Sequence, residues 1–145
     1  MKKVLVINGP NLNLLGIREK NIYGSVSYED VLKSISQKAQ ELGFEVEFFQ
    51  SNHEGSIIDK IHSAYNEKVD AIIINPGAFT HYSYAIHDAI KAVNIPTIEV
   101  HISNIHAREE FRHKSVIAPA CTGQISGFGI KSYIIALYAL KEILD

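Results

Sequence analysis

Cysteine, arginine and net charge are all scarce in this chain of 145 residues. The single cysteine, Cys121, excludes a disulfide within the chain and fits a reducing compartment. The formal net charge is only −2. It argues against a nucleic-acid binder working through a broad basic field, so no nucleic-acid partner is expected. The only arginines are Arg18, Arg108 and Arg112, all in segments that read as loops or short helical turns. No apolar stretch approaches the roughly 18 residues needed to cross a bilayer, so no membrane partner is expected. The opening MKKVLVINGPN has an apolar run too short for a secretory signal and ends in polar loop residues, which points to the cytoplasm. With 46% apolar and 21% charged residues the balance is ordinary for a globular protein, and the length favours a single domain over 1–145.

Several chemical signatures are also missing. The loop after the first apolar run, GPNLNLLGIREKNIYG, contains neither G-x-G-x-x-G nor G-x-x-x-x-G-K-[ST], so it is not a phosphate cradle of either common kind. There is no H-E-x-x-H and no C-x-x-C, and His101 and His106 are poorly spaced for shared ligation on a helix. No metal is therefore expected. No G-x-S-x-G elbow is present, and Cys121 has no base beside it in sequence. Imine chemistry wants a desolvated lysine, whereas Lys20 sits between Glu19 and Asn21 and reads as solvated. What remains is proton transfer: elimination, isomerisation or hydration.

What is present is a regular alternation of strand and helix signals. Strand-like runs fall at Lys3–Asn8, Phe44–Gln50, Asp70–Asn75 and Pro96–His101, with a short fifth at Ser115–Ala118. Helical periodicity falls at Ser27–Leu42, Ser56–Lys68, about Tyr82–Val93 and Ile130–Leu144, and Ile105–Arg112 can hold a helical turn. Five strands alternating with helices predict an α/β, flavodoxin-like three-layer sandwich. Its sheet would be parallel and five-stranded, in the order 2-1-3-4-5.

In such sheets the site lies beyond the carboxyl ends of the strands, where the order reverses between strands one and three. The loop after strand one carries Asn11, Arg18 and Tyr23, and runs 18 residues from Gly9 to Val26 with little regular pattern. Loops that long are uncommon unless they bind or cover something. The loop after strand three is Asn75–His81, and strand four ends at His101, Ile102 and Ser103, with Arg112 beyond. Tyr23 reads either as a tyrosine packed in an ordinary loop or as a base. Ionising a free tyrosine at neutral pH costs about 4 kcal/mol, and a guanidinium within a few ångströms lowers its pKa by roughly one to three units. Arg18 is the candidate for that guanidinium, and His101 is the candidate acid. Glu99 falls on the same side of its strand, either to orient His101 or as a salt-bridged edge residue. His53, His62, His87 and His113 read as surface histidines, and His106 as a subunit contact.

Four segments carry a resemblance: GPNLNLLGIREKNIYG, FFQSNHEGSIIDKIH, NPGAFTHYSYAIHDAI and EVHISNIHAREEFRHKSVIAPACTGQISGFG. In that order and at those separations the chain resembles the type II 3-dehydroquinate dehydratases of the shikimate pathway, over essentially its whole length. The resemblance implies a flavodoxin-like fold, a homododecamer built as a tetramer of trimers, and a lyase reaction that removes water from 3-dehydroquinate to give 3-dehydroshikimate. It implies anti elimination through an enolate, without metal, cofactor or imine. Position by position it implies Tyr23 as proton acceptor, Arg18 as its activator and His101 as proton donor. Asn11 would support the enolate or its positioning water. Asn75, His81, Ile102, Ser103 and Arg112 would bind substrate, and Asp88 would reach a neighbouring subunit's site. Ile17 departs from the pattern, standing where a smaller or more polar residue is expected. The alternative is a flavodoxin-like ligand-binding or signalling module. Against a receiver, strand one ends Ile7-Asn8-Gly9 without a carboxylate; against a flavin binder, Pro10-Asn11-Leu12 offers no hydroxyl-rich phosphate loop.

Overall fold

The computed structural model describes residues 1–17 and 25–144. Among them five parallel strands form one sheet in the order β2-β1-β3-β4-β5. The strands are β1 (Lys2–Asn8), β2 (Phe44–Gln50), β3 (Ala71–Asn75), β4 (Thr97–His101) and β5 (Gly123–Ser126). The longer helices are α1 (Tyr28–Glu41), α2 (Glu54–Asn66), α3 (Tyr84–Val93) and α4 (Lys131–Leu144). Short 3-10 turns fill the connections. Two of the helix starts are chemically marked. The Ser27 side chain accepts the Asp30 N–H while the Asp30 carboxylate accepts the Ser27 N–H, a reciprocal cap at the head of α1. Ser83 caps α3 by accepting the Ile86 N–H.

Successive strand residues point to opposite faces, and the two faces carry separate cores. On one, Val4, Val6, Ile73 and Val100 pack against Val31 and Ile35 of α1 and Tyr133, Ala136 and Leu137 of α4. On the other, Leu5, Ile7, Ile72 and Ile74 pack against Ile57 and Ile61 of α2 and Ile86 and Ile90 of α3. β3 is buried along its whole length, as its unbroken AIIIN run requires of a central parallel strand. This is the expected three-layer sandwich and strand order.

One expected element is corrected. The fifth strand is not Ser115–Ala118 but Gly123–Ser126. The apolar Val116 and Ile117 are buried, yet the Val116 N–H donates to the Thr80 carbonyl in the turn after β3, at 2.7 Å, instead of joining β4. Ser115 Oγ takes the Ile117 and Ala118 N–H groups, and Pro119 follows inside a 3-10 turn. That backbone is therefore already satisfied, and Gly123–Ser126 pairs with β4 in register Glu99↔Gln124 and His101↔Ser126. Two helix starts also move. α2 begins at Glu54, before the expected Ser56. α3 begins at Tyr84 because Gly77–His81 winds as a 3-10 turn.

Candidate active site

The carboxyl ends of β1, β3, β4 and β5 lie side by side, and two polar clusters occupy them. Their residues follow from strand parity. Asn8 and Asn75 end β1 and β3 on the α1/α4 face, whereas Glu99 and His101 of β4 point to the α2/α3 face.

The β4 cluster centres on Glu99, which is fully buried. Its carboxylate accepts hydrogen bonds from His101 Nε2, from Thr80 Oγ1 and from Ser115 Oγ (2.9 Å), and from Gln124 Nε2 at 3.1 Å. The donors come from four places: β4 itself, the turn after β3, the segment before β5, and β5. Burial pushes the Glu99 carboxyl up, but the hydrogen bonds from His101, Thr80 and Ser115 and the charge of His101 outweigh it. Glu99 is held below the usual carboxylate range. An ionised Glu99 fixes the ring of His101, because Nε2 is committed to the carboxylate and Nδ1 is the remaining nitrogen.

The β1/β3 cluster links Asn8, Asn75 and Tyr133 of α4, all nearly inaccessible. Asn75 Nδ2 donates to the Tyr133 hydroxyl at 2.9 Å, and Tyr133 donates to Asn8 Oδ1. Asn8 Nδ2 lies 3.2 Å from the Tyr28 hydroxyl. Burial pushes the Tyr133 hydroxyl far above its ordinary value, so it is a permanent donor.

The two loops at the reversal touch through backbone. A Cβ on Gly9 would lie 2.4 Å from the Pro76 carbonyl oxygen, so only glycine fits there. The Gly9 N–H donates to the Asn75 carbonyl at 2.7 Å. Above this seam lies a cleft of about 120 Å³. Asn11, Asn75 and Gly77 line it on the β1/β3 side; His81, His101, Ile102, Ser103, Arg108 and Arg112 line the other. Asn11 is exposed, with left-handed backbone (φ 69°), and its N–H is held by Asn52 Oδ1 at 3.0 Å. His81 Nδ1 lies 2.8 Å from the Lys114 carbonyl, which can only accept, so Nδ1 carries the proton. Desolvation lowers the His81 pKa, with the nearby positive groups His101 and Arg112 adding to the effect. The neutral ring leaves Nε2 as an acceptor. Arg112 is paired through Nε with Glu109 at 2.9 Å and stacks 4.6 Å from the Phe111 ring centre. Among the described residues no three of His, Cys, Asp and Glu converge as a metal-binding group. Cys121 is mostly buried and its thiol is pushed up to about 12, which leaves it protonated and inert.

The cleft thus brings together Asn11, Asn75, His81, His101, Ile102, Ser103 and Arg112, with Glu99 directly behind His101. Asp88 does not line it. It sits on the exposed face of α3 beside His87, with its side chain 80% accessible. Arg18 and Tyr23 lie outside the described residues, as do Lys20 and Gly24. Arg108 was not singled out from the sequence, where it was one more loop arginine. It reaches the cleft with Nη1 3.5 Å from Ser103 Oγ. Asn8 and Tyr133 were missed as well, although the parallel endings of two apolar runs, LVIN and IIIN, mark Asn8 and Asn75 as matched strand ends.

Fold and cleft together define a flavodoxin-like α/β protein whose polar site sits at the sheet's topological reversal and combines a carboxylate-held imidazole with amide and guanidinium groups. The chain belongs to the family described as Dehydroquinase class II, whose sequence profile matches residues 2–141. It is 97% identical over 145 residues to a 3-dehydroquinate dehydratase of Caldicellulosiruptor bescii, covering 100% of both chains. It is 68% identical over 140 residues to one of Clostridium perfringens, covering 97% of each. Among solved structures, the type II dehydroquinase of Butyrivibrio crossotus superposes with a TM-score of 0.95 at 60% identity, covering 96% of this chain and 97% of that one.

Proposed function

We propose that this chain is a 3-dehydroquinate dehydratase. It removes water from 3-dehydroquinate to give 3-dehydroshikimate by anti elimination through an enolate. The observation that carries the reading is the conjunction of family membership over residues 2–141 with a buried Glu99–His101 pair opening on the reversal cleft.

The substrate has a ketone, a β-hydroxyl and a carboxylate on one ring. Tyr23 is the base that takes the proton next to the ketone, made acidic enough for the task by Arg18, whose fixed charge favours the phenolate. The enolate oxygen collects the charge, and Asn11 or a water it holds supplies a hydrogen bond. Hydroxide is a poor leaving group, so His101 gives it a proton. Glu99 keeps the ring oriented, acting through His101 and not on the substrate. Neutral His81 accepts from a ring hydroxyl through Nε2. Asn75 contacts a ring oxygen, while Arg112 and the Ile102–Ser103 backbone and hydroxyl take the carboxylate side. Elimination in the anti sense requires base and acid on opposite faces of the ring. In this reading the base comes from the segment after β1 and the acid from the tip of β4, one for each face. The chemistry uses the chain's own residues, without metal, cofactor or lysine imine. The working form is a homododecamer of four trimers in the cytoplasm, with the exposed Asp88 of one copy completing the site of another.

The test is direct. Purified protein mixed with 3-dehydroquinate should raise the near-ultraviolet absorbance of the conjugated enone, and folded protein without that signal sinks the assignment. Tyr23→Phe should lower kcat by at least about a thousandfold while substrate still binds by calorimetry. Turnover near the native value would remove Tyr23 as the base.

A further inference from the structure

A carboxamide is nearly symmetric in shape, so which end faces a substrate is decided by its hydrogen-bond partners. At Asn75 the partners leave no choice. The Gly77 backbone N–H, which can only donate, lies 3.2 Å from Asn75 Oδ1. The other end of the amide is therefore Nδ2, which donates to the Tyr133 hydroxyl at 2.9 Å. Tyr133, whose oxygen accepts from Asn75, then has its proton free for Asn8 Oδ1, 2.5 Å away. Asn8 in turn is left with Nδ2 toward the Tyr28 hydroxyl. Each link has one direction, and a single main-chain N–H sets them all. Flipping Asn75 would oppose N–H to N–H at Gly77 and leave buried groups unpaired, a cost a buried site does not bear lightly. The carboxamide has two N–H bonds at Nδ2; one is spent on Tyr133, and Asn75 lines the cleft.

We propose that Tyr133 is a positioning residue for the reaction: with Asn8 behind it, it locks the Asn75 carboxamide so that an N–H, not a carbonyl, is presented to the cleft. The group recognised there is an acceptor oxygen of the substrate ring. Tyr133 touches no substrate. It stands on α4, inside the core formed with α1, and acts only through Asn75. This rests on the reading of Asn75 as a substrate contact.

A double-mutant cycle tests it. Tyr133→Phe keeps the ring in the core and removes only the hydroxyl. We expect kcat/KM for 3-dehydroquinate to fall about tenfold, with most of the change in KM and an unchanged pH profile. Asn75→Ala should fall at least as far. The double variant Asn75→Ala/Tyr133→Phe should be no worse than Asn75→Ala alone, within about twofold, since Tyr133 has nothing left to orient. If the two losses multiply, Tyr133 acts by general destabilisation and the proposal is overturned. Native kcat/KM in Tyr133→Phe, with Asn75→Ala impaired, also overturns it while leaving Asn75 as a substrate contact. Native values in Asn75→Ala take down both readings, but not the dehydratase assignment, which the enone signal of the unmodified enzyme decides. Should Tyr133→Phe fail to fold, Asn8→Ala relaxes the same relay from its far end and should give the same non-multiplying loss.

Discussion

At the scale of single residues, the site depends on donors that fill what a buried carboxylate can accept. Glu99 is buried, and an isolated buried carboxylate would take up a proton. Thr80, Ser115, Gln124 and His101 prevent that. Ser115 is the most committed of them, because its oxygen also accepts two main-chain N–H groups, which sends its own proton to Glu99. Ser115→Ala therefore strips a donor from Glu99 and leaves the Ile117 and Ala118 N–H groups short of an acceptor. The expected loss is about 1–3 kcal/mol of stability, read from urea denaturation. If His101 is the acid as proposed, activity should fall mainly in kcat, because its partner Glu99 is disturbed while the other cleft residues stay in place. Unchanged values of both would mean that Ser115 is incidental to the cluster. No local pattern in SVIAPA announces this role: its partners lie at Glu99 and Thr80, 16 and 35 residues away. The same distance in sequence hid Tyr133, which meets Asn8 across 125 residues. Asn75 and His101 were legible because they end strands, where topology alone directs polar groups to one edge, and His81 follows in the turn after β3; Arg112, farther along the chain, was legible through the family resemblance.

At the scale of elements, four of the five strands and all four helices were legible from periodicity, since burial of one face imposes a spacing of two or of about 3.6. The fifth strand was not. Ser115–Ala118 is apolar, but its main chain is satisfied by Thr80 and Ser115, whereas Gly123–Ser126 has only a weak pattern, GQIS, and is selected by its pairing with β4. The decisive junction between elements is the reversal seam, where the loops after β1 and β3 are pressed together. Gly9→Ala places a methyl group 2.4 Å from the Pro76 carbonyl, which main chain cannot yield without moving one loop. Overpacking of this kind costs about 1–3 kcal/mol. Here the displaced loops carry Asn11 and Asn75, so KM should rise along with the loss of thermal stability. A Gly9→Ala enzyme with native melting temperature and native KM would show that the seam is looser than its geometry.

At the scale of the whole molecule, the sheet's two faces are two cores, and each ends in its own polar cluster: Asn8–Tyr133–Asn75 on one, Glu99–His101 on the other. The cleft straddles the sheet edge and draws on both, so in the proposed reaction the Asn75 contact and the His101 proton rest on separate halves of the fold. No helix among the described residues is long and apolar enough to cross a membrane. Glu99 makes the stability of the fold depend on pH. Its folded pKa lies below the ordinary glutamate value of about 4.3, so the folded state binds its proton less readily than the unfolded chain does. Its contribution is then fully present above the unfolded value and is lost as pH falls through the folded one. Melting temperatures of the native protein and of Glu99→Gln, measured from pH 7 downward, should differ by a constant amount at first. They should converge only once the pH passes below about 4 and the native carboxylate begins to protonate. A gap that closed between pH 7 and 5 would mean that Glu99 is protonated in the fold near neutrality. In that case His101 would lack its anionic partner, and the acid of the proposed elimination would have to be another group.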